Sequence, residues 1–237
     1  MKRFYIFALA LIAVVFTFQT TPAIKPTLSA VAQSGFNRTL SIKGTGLDKQ
    51  PYSGTLDVRS RKINSPSADI EGVTLKWNVG GSIYEGIGLV TASILTATWG
   101  GKSCSLVVYQ DTGKSLEGVF TVVGSPKIGA EIAKKTAGKT PTAGSYTVDG
   151  TNLNGSPYKG ALQVTAQGPV YQFSWDVGAK YEGVGIKQGP LVSVAWGADP
   201  KDQCGVVQYE ITNQGLANGR WGIYGANATG TEQGVLK

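Results

Sequence analysis

The sequence predicts an all-β fold built twice: two tandem repeats, each a roughly eight-stranded antiparallel up-and-down barrel. Three observations carry this. The first is an internal duplication. Trp77-Asn78-Val79, Tyr84-Glu85-Gly86-Ile87-Gly88 and Trp99-Gly100 return as Trp175-Asp176-Val177, Tyr181-Glu182-Gly183-Val184-Gly185 and Trp196-Gly197. The match continues from Cys104 and Tyr109 to Cys204 and Tyr209, and from Gly129-Ala130-Glu131 to Gly230-Thr231-Glu232. The second is period-two alternation: Val73, Leu75, Trp77 and Val79 share one face while Thr74, Lys76 and Asn78 share the other. The third is punctuation by Gly, Pro, Asn and Asp clusters, with no helix of convincing length between them.

The strands of the first unit fall near residues 40–43, 52–58, 73–79, 82–89, 93–99, 104–109, 116–122 and 129–133. A strand that is apolar on one face only belongs to an antiparallel sheet. Short connections favour a meander, and eight meandering strands can close on themselves and remove both exposed edges. A two-sheet β-sandwich is the alternative, because alternation alone does not separate a closed sheet from two facing ones. Gly54 and Gly160 lie on the face of Leu56 and Leu162 and read as bends. Gly86 and Gly88, with Gly183 and Gly185, leave a bare trough that a ring from a neighbouring strand can fill.

The unit boundaries follow. Residues 1–32 read as a signal peptide: Lys2 and Arg3 precede an uncharged apolar run from Phe4 to Phe18, too short to span a membrane. Cleavage fits after Ala23 or after Ala32, the second being slightly favoured. Residues 33–134 form the first barrel repeat, 135–143 a small, polar, Pro-containing linker, and 144–237 the second repeat. The expected location is exported, periplasmic or secreted, with no membrane span in the mature protein. The net charge of +7 sits largely in the leader and the first unit. Its densest run, Arg59-Ser60-Arg61-Lys62, reads as a solvated loop, so no nucleic-acid partner is expected.

There is no histidine in the chain, which excludes Ser-His-Asp and Cys-His catalysis and His-based metal sites. The only two cysteines, Cys104 and Cys204, are too few for a thiolate metal centre, so neither metal nor cofactor is expected. They form either an interdomain disulfide or two buried thiols, and a bridge requires α-carbons within about 7 Å. Carboxylates are the remaining catalytic possibility. Glu85 and Glu131 recur as Glu182 and Glu232, and a glycosidase needs only two acids across a cleft.

The large rings Trp77, Tyr84, Trp99 and Tyr109 recur as Trp175, Tyr181, Trp196 and Tyr209, and Phe120 becomes Trp221. They either fill a core or line a barrel mouth. Tyr84, Trp99, Tyr181 and Trp196 are the candidate ligand-lining residues, with Glu85 and Glu182 as candidate polar groups. Alternation puts Tyr84 and Glu85 on opposite faces, so at most one of the two points into a pocket, and the ring is the one assigned there.

Tyr-x-Gly-x-Leu-x-Val, Trp-x-Val-Gly, Tyr-Glu-Gly-x-Gly, Cys-(two residues)-Val-x-Tyr and the terminal Gly-x-Glu together resemble a family of small exported bacterial β-repeat proteins. Most of that family is of unknown function, and some members are loosely labelled fibronectin-binding. In style the meander is also similar to avidin-like and lipocalin-like barrels, a likeness of architecture that carries no function with it. The resulting expectation is an exported, non-enzymatic two-domain binding or envelope protein. Its partner would be a small molecule, a glycan or an extracellular or envelope protein. A carbohydrate-active hydrolase using the repeat carboxylates and a structural or adhesive surface component are the alternatives.

Overall fold

The computed structural model describes residues 36–65, 69–100, 103–197 and 203–237. The apolar leader and both cleavage positions lie outside the described residues. Eight strands come from each repeat. The first repeat supplies β1 (Arg38–Thr45), β2 (Pro51–Arg61), β3 (Ile70–Val79), β4 (Ser82–Thr91), β5 (Ile94–Trp99), β6 (Ser105–Asp111), β7 (Ser115–Thr121) and β8 (Gly129–Ala137). The second supplies β9 (Gly144–Thr151), β10 (Pro157–Gln167), β11 (Val170–Asp176), β12 (Lys180–Gln188), β13 (Leu191–Gly197), β14 (Gly205–Thr212), β15 (Gly215–Ile223) and β16 (Gly230–Leu236). The strand count and the alternation both match expectation: in β3, Val73, Leu75 and Trp77 are buried while Thr74, Lys76 and Asn78 are exposed.

All sixteen strands are antiparallel and form two closed eight-stranded barrels, but the barrels do not coincide with the repeats. Barrel one is closed by β1 to β5 with β14 to β16, and barrel two by β9 to β13 with β6 to β8. The two halves of the chain have exchanged their last three strands. The exchange is reciprocal: β5 pairs with β14, Trp99 facing Gly205 and Leu95 facing Tyr209, while β13 pairs with β6, Trp196 facing Ser105 and Val192 facing Tyr109. Duplication makes this possible, because β6 to β8 and β14 to β16 offer equivalent edges and inward faces to either five-stranded remainder.

The boundaries 33–134 and 144–237 therefore mark sequence repeats, and the segment 135–143 is not a linker between domains. Its first residues extend β8, and the rest forms the β8–β9 hairpin inside barrel two, with Ala133 opposite Val148 and Lys134 opposite Thr147. The chain crosses between barrels elsewhere, from β5 to β6 and from β13 to β14, and the Cys104–Cys204 disulfide joins these two crossings with α-carbons 5.4 Å apart. Of the two states foreseen for the cysteines, the structure holds the bridge.

One consequence is testable by limited proteolysis. Lys139 is exposed in the β8–β9 hairpin, and a tryptic cut there is expected to give two fragments on a reducing denaturing gel. A non-reducing gel should show a single band, and size exclusion of the nicked, reduced protein should show a single particle. Two separable half-size particles would mean that each repeat closes its own barrel.

Each barrel has an apolar filling: Leu40, Leu56, Leu75, Leu95 and Leu216 in barrel one, and Leu116, Leu162, Phe173, Val192 and Val194 in barrel two. A third cluster lies between the barrels, where Leu89 and Val206 meet Leu106, Val108, Val184, Ile186 and Ala195. Each Leu, Ile, Val or Phe among these contributes about 1.5–3 kcal/mol by burial. Strands β5, β6, β13 and β14 are consequently buried on both faces, which is why Leu106-Val107-Val108-Tyr109 reads as a continuous apolar run. Three polar groups trapped at this seam satisfy one another: Ser193 Oγ donates to Gln208 Oε1 at 2.8 Å and lies 3.2 Å from Thr96 Oγ1.

Glycine sets the curvature as expected. A Cβ at Gly54 would sit 2.1 Å from the Asn78 carbonyl oxygen, and one at Gly160 equally close to that of Asp176, so β2 and β10 bend where another backbone approaches. In the trough, a Cβ on Gly185 would meet the Phe173 ring at 2.6 Å, the filling by a neighbouring ring that the bare face implied.

Candidate functional site

Antiparallel pairing brings the recurring rings together. Trp77 faces Tyr84 across β3 and β4, so both point inward, and Gly86 beside them faces Trp99 on β5. Tyr209 and Trp221, from β14 and β15, and Tyr52 from β2 complete the wall of a cavity of about 620 Å³ at one end of barrel one. The rings form a belt: Trp77 to Trp99 at 5.9 Å between centroids, Trp99 to Trp221 at 6.0 Å, and Trp221 to Tyr52 at 6.5 Å, all in tilted or edge-on contact.

Barrel two repeats the arrangement position by position. Trp175, Tyr181, Trp196, Tyr109, Phe120 and Tyr158 line a cavity of about 410 Å³. Here Tyr181 lies 5.2 Å from Trp196, Trp196 lies 6.2 Å from Phe120, and Phe120 lies 6.4 Å from Tyr158. All four ring residues singled out from sequence, Tyr84, Trp99, Tyr181 and Trp196, are therefore at cavity walls. Tyr84, with 45% of its surface exposed, stands at the mouth. The strand exchange makes each cavity composite: Tyr209 and Trp221 reach barrel one from the second half of the chain, and Tyr109 and Phe120 reach barrel two from the first.

The acid in each cavity is not the one chosen from sequence. Glu85 projects from the outer face of β4 and pairs with Lys76 at 3.6 Å with both side chains well exposed. Glu182 accepts a hydrogen bond from Ser174 Oγ at 2.8 Å across the outside of β11 and β12. Both alternate away from the inward tyrosines, as the strand period requires. The buried acids are Glu131 and Glu232, which line the two cavities with 5% and 6% of their surface exposed. In β8, Gly129, Glu131 and Ala133 share the inward face, a placement that the alternation carries and that recurrence alone did not resolve.

Each carboxylate is held by three neutral donors. Glu131 accepts from the Tyr109 hydroxyl in a short bond, from the Tyr158 hydroxyl at 2.7 Å and from Trp175 Nε1 at 3.1 Å. Glu232 accepts from the Tyr209 hydroxyl, also in a short bond, from the Tyr52 hydroxyl at 2.7 Å and from Trp77 Nε1 at 3.2 Å. Burial raises the Glu232 carboxyl above its ordinary value, and the bonds from Tyr209, Tyr52 and Trp77 offset that only in part. Burial, and then the adjacent negative charge, likewise push the Tyr109 and Tyr209 hydroxyls well above the usual phenol range. The hydroxyls therefore act as donors across the accessible pH range. Among the described residues no group of three or more His, Cys, Asp or Glu is placed to hold a metal ion.

The opposite ends of the barrels are stopped differently. In barrel one, buried Phe36 belongs to the core with Val90. In barrel two, Asp111, whose side chain is 1% exposed, accepts from Lys187 Nζ and from Thr142 Oγ1, both at 2.6 Å, and from the Gly113 N–H at 2.8 Å. Thr142 belongs to the β8–β9 hairpin, so the segment expected to be a linker plugs this end. Burial raises the Asp111 carboxyl, but the bonds from Lys187, Thr142 and Gly113 outweigh it, and the net value is lowered. A carboxyl whose folded value is lowered adds stability above its unfolded value, near 4, and loses it as pH falls through the folded value. Asp111→Asn is therefore expected to cost about 1.5–3 kcal/mol near neutral pH. In urea titrations the gap to the parent should narrow as pH falls from the unfolded value, near 4, through the lowered folded one. A gap that stays constant with pH would mean that shape, not ionisation, is what Asp111 supplies.

Among the described residues no helix is long and apolar enough to cross a membrane. Comparison with known protein families, curated proteins and solved structures finds no match to this chain.

Proposed function

We propose that this is an exported, non-enzymatic binding protein with two small-molecule cups, one at the open end of each barrel. One observation carries the reading. In both barrels, six aromatic rings and one buried carboxylate converge on a cavity of about 410 or 620 Å³, within the size range and chemistry of small-ligand sites. Binding is favoured over hydrolysis because the acids that a hydrolase reading would use, Glu85 and Glu182, face outward, and the single acid in each cup already accepts three hydrogen bonds. Export rests on the apolar leader.

The test is a panel of small amphiphiles, glycans and matrix proteins, read by intrinsic tryptophan fluorescence and thermal shift, with Trp196→Phe as the companion variant. A ligand that shifts the parent and responds less to the variant, at unchanged melting temperature, supports the cups. No response to any of the panel, together with a loss of several kcal/mol in the variant, would make the rings core packing and sink the reading.

A further inference from the structure

Resting on the reading of the barrel ends as binding cups, we infer that the ligand of both is an organic cation whose charge is carried by an alkylated ammonium group. The argument begins with an imbalance of charge. Glu131 and Glu232 are buried, and every protein group that bonds them is neutral: two tyrosine hydroxyls and one indole N–H in each case. Among the described residues neither carboxylate forms an ion pair with a lysine or arginine. A buried carboxylate without a cation is costly, and a ligand can supply the missing charge.

The second point is the lining. Indole and phenol faces carry negative quadrupole charge, so a ring-walled cup attracts cations that shed water readily, of which quaternary ammonium groups are the best matched. Each cup therefore presents negative potential from its walls as well as from its base. The third point is lone-pair geometry. Of the two oxygens, Oε1 of each glutamate takes two bonds and Oε2 only one, while a carboxylate offers about four acceptor sites in all. One direction on Oε2 is left for the methylene or methyl hydrogens that carry an ammonium ion's positive charge. The same three features occur in both barrels, at equivalent residues drawn from opposite halves of the chain, as two-fold use of one chemistry requires.

The experiment uses the full chain and two probes of nearly equal shape: choline, and 3,3-dimethylbutan-1-ol, in which a neutral carbon replaces the ammonium nitrogen. Calorimetric titration is expected to show choline filling both cups, with the alcohol weaker by about tenfold or more. Glu232→Gln should abolish binding in barrel one and leave barrel two, and Glu131→Gln should do the converse, halving the stoichiometry each time. Equal affinity for the two probes in the parent protein overturns the inference without recourse to any variant, and so does choline binding that is unchanged in both glutamine forms. In either case the cups still bind, and only the charge assignment fails. If choline is inert while a neutral member of the panel binds, the cation is likewise excluded and the binding reading stands. If nothing binds, both fall together.

Discussion

Glu131→Ala is expected to lower the stability of the protein by about 2–4 kcal/mol, because it leaves the donors of a buried network without their acceptor, a cost that the relieved burial of the carboxylate offsets only in part. The Tyr109 and Tyr158 hydroxyls and the Trp175 indole N–H all donate to this one carboxylate. Tyr109 is fully buried and Trp175 is 5% exposed, so neither donor can turn to bulk water, and each orphaned group costs on the order of 1–3 kcal/mol. Urea unfolding followed by far-ultraviolet circular dichroism and tryptophan fluorescence measures the effect, provided that the slope against urea is unchanged. Glu131→Gln retains the shape and one acceptor and should cost less than the alanine variant. A loss below about 1 kcal/mol in Glu131→Ala would show that water entering from the mouth replaces the carboxylate, and that the rings hold their places by packing alone.

The second large effect concerns the crossings. Cys104 and Cys204 are 100 residues apart in sequence, and cross-linking a loop of that length constrains the unfolded chain by about 4–5 kcal/mol. The double variant Cys104→Ser, Cys204→Ser is expected to be less stable than the oxidised parent by this amount, and the reduced parent should match the variant. Both barrels should still close, since each is held by a complete ring of strand pairs to which the disulfide adds no hydrogen bond. The midpoint of urea unfolding reports the loss, and the near-ultraviolet dichroism of the clustered tryptophans reports retention of the fold. A difference below about 1 kcal/mol would mean that residual structure already restricts the unfolded chain so tightly that the bridge adds nothing.

The individual strands and the direction of their side chains were legible in the sequence. Val73, Leu75 and Trp77 on one face of β3, repeated by Phe173 and Trp175 on β11, specify which residues enter a barrel, because a strand has only two faces and only one meets the core. Alternation also put Tyr84 and Glu85 on opposite faces, and the recurrence of Gly-x-Glu marked Glu131 and Glu232. What it did not reveal is who meets whom. Trp77 reaches Glu232 across 155 positions and Tyr52 reaches it across 180, and those contacts exist only because β16 closes the barrel that β1 to β5 began.

That closure was decided by tertiary structure alone. Period two encodes a face, not a partner, and a duplicated sequence offers every strand edge two equally matched neighbours. Closure within a repeat and closure by exchange use the same local pairings, so they differ only in what happens between the barrels. There, Leu89 and Val206 pack against Leu106, Val184 and Ile186, and the two crossings meet at the disulfide. The sequence by itself determined roughly eight strands in each repeat, which of their faces is apolar and the absence of histidine chemistry. The exchange of strands, the bridge between the crossings and the buried acid at the base of each aromatic cup required contacts between segments that are not neighbours in the chain, which no local pattern contains.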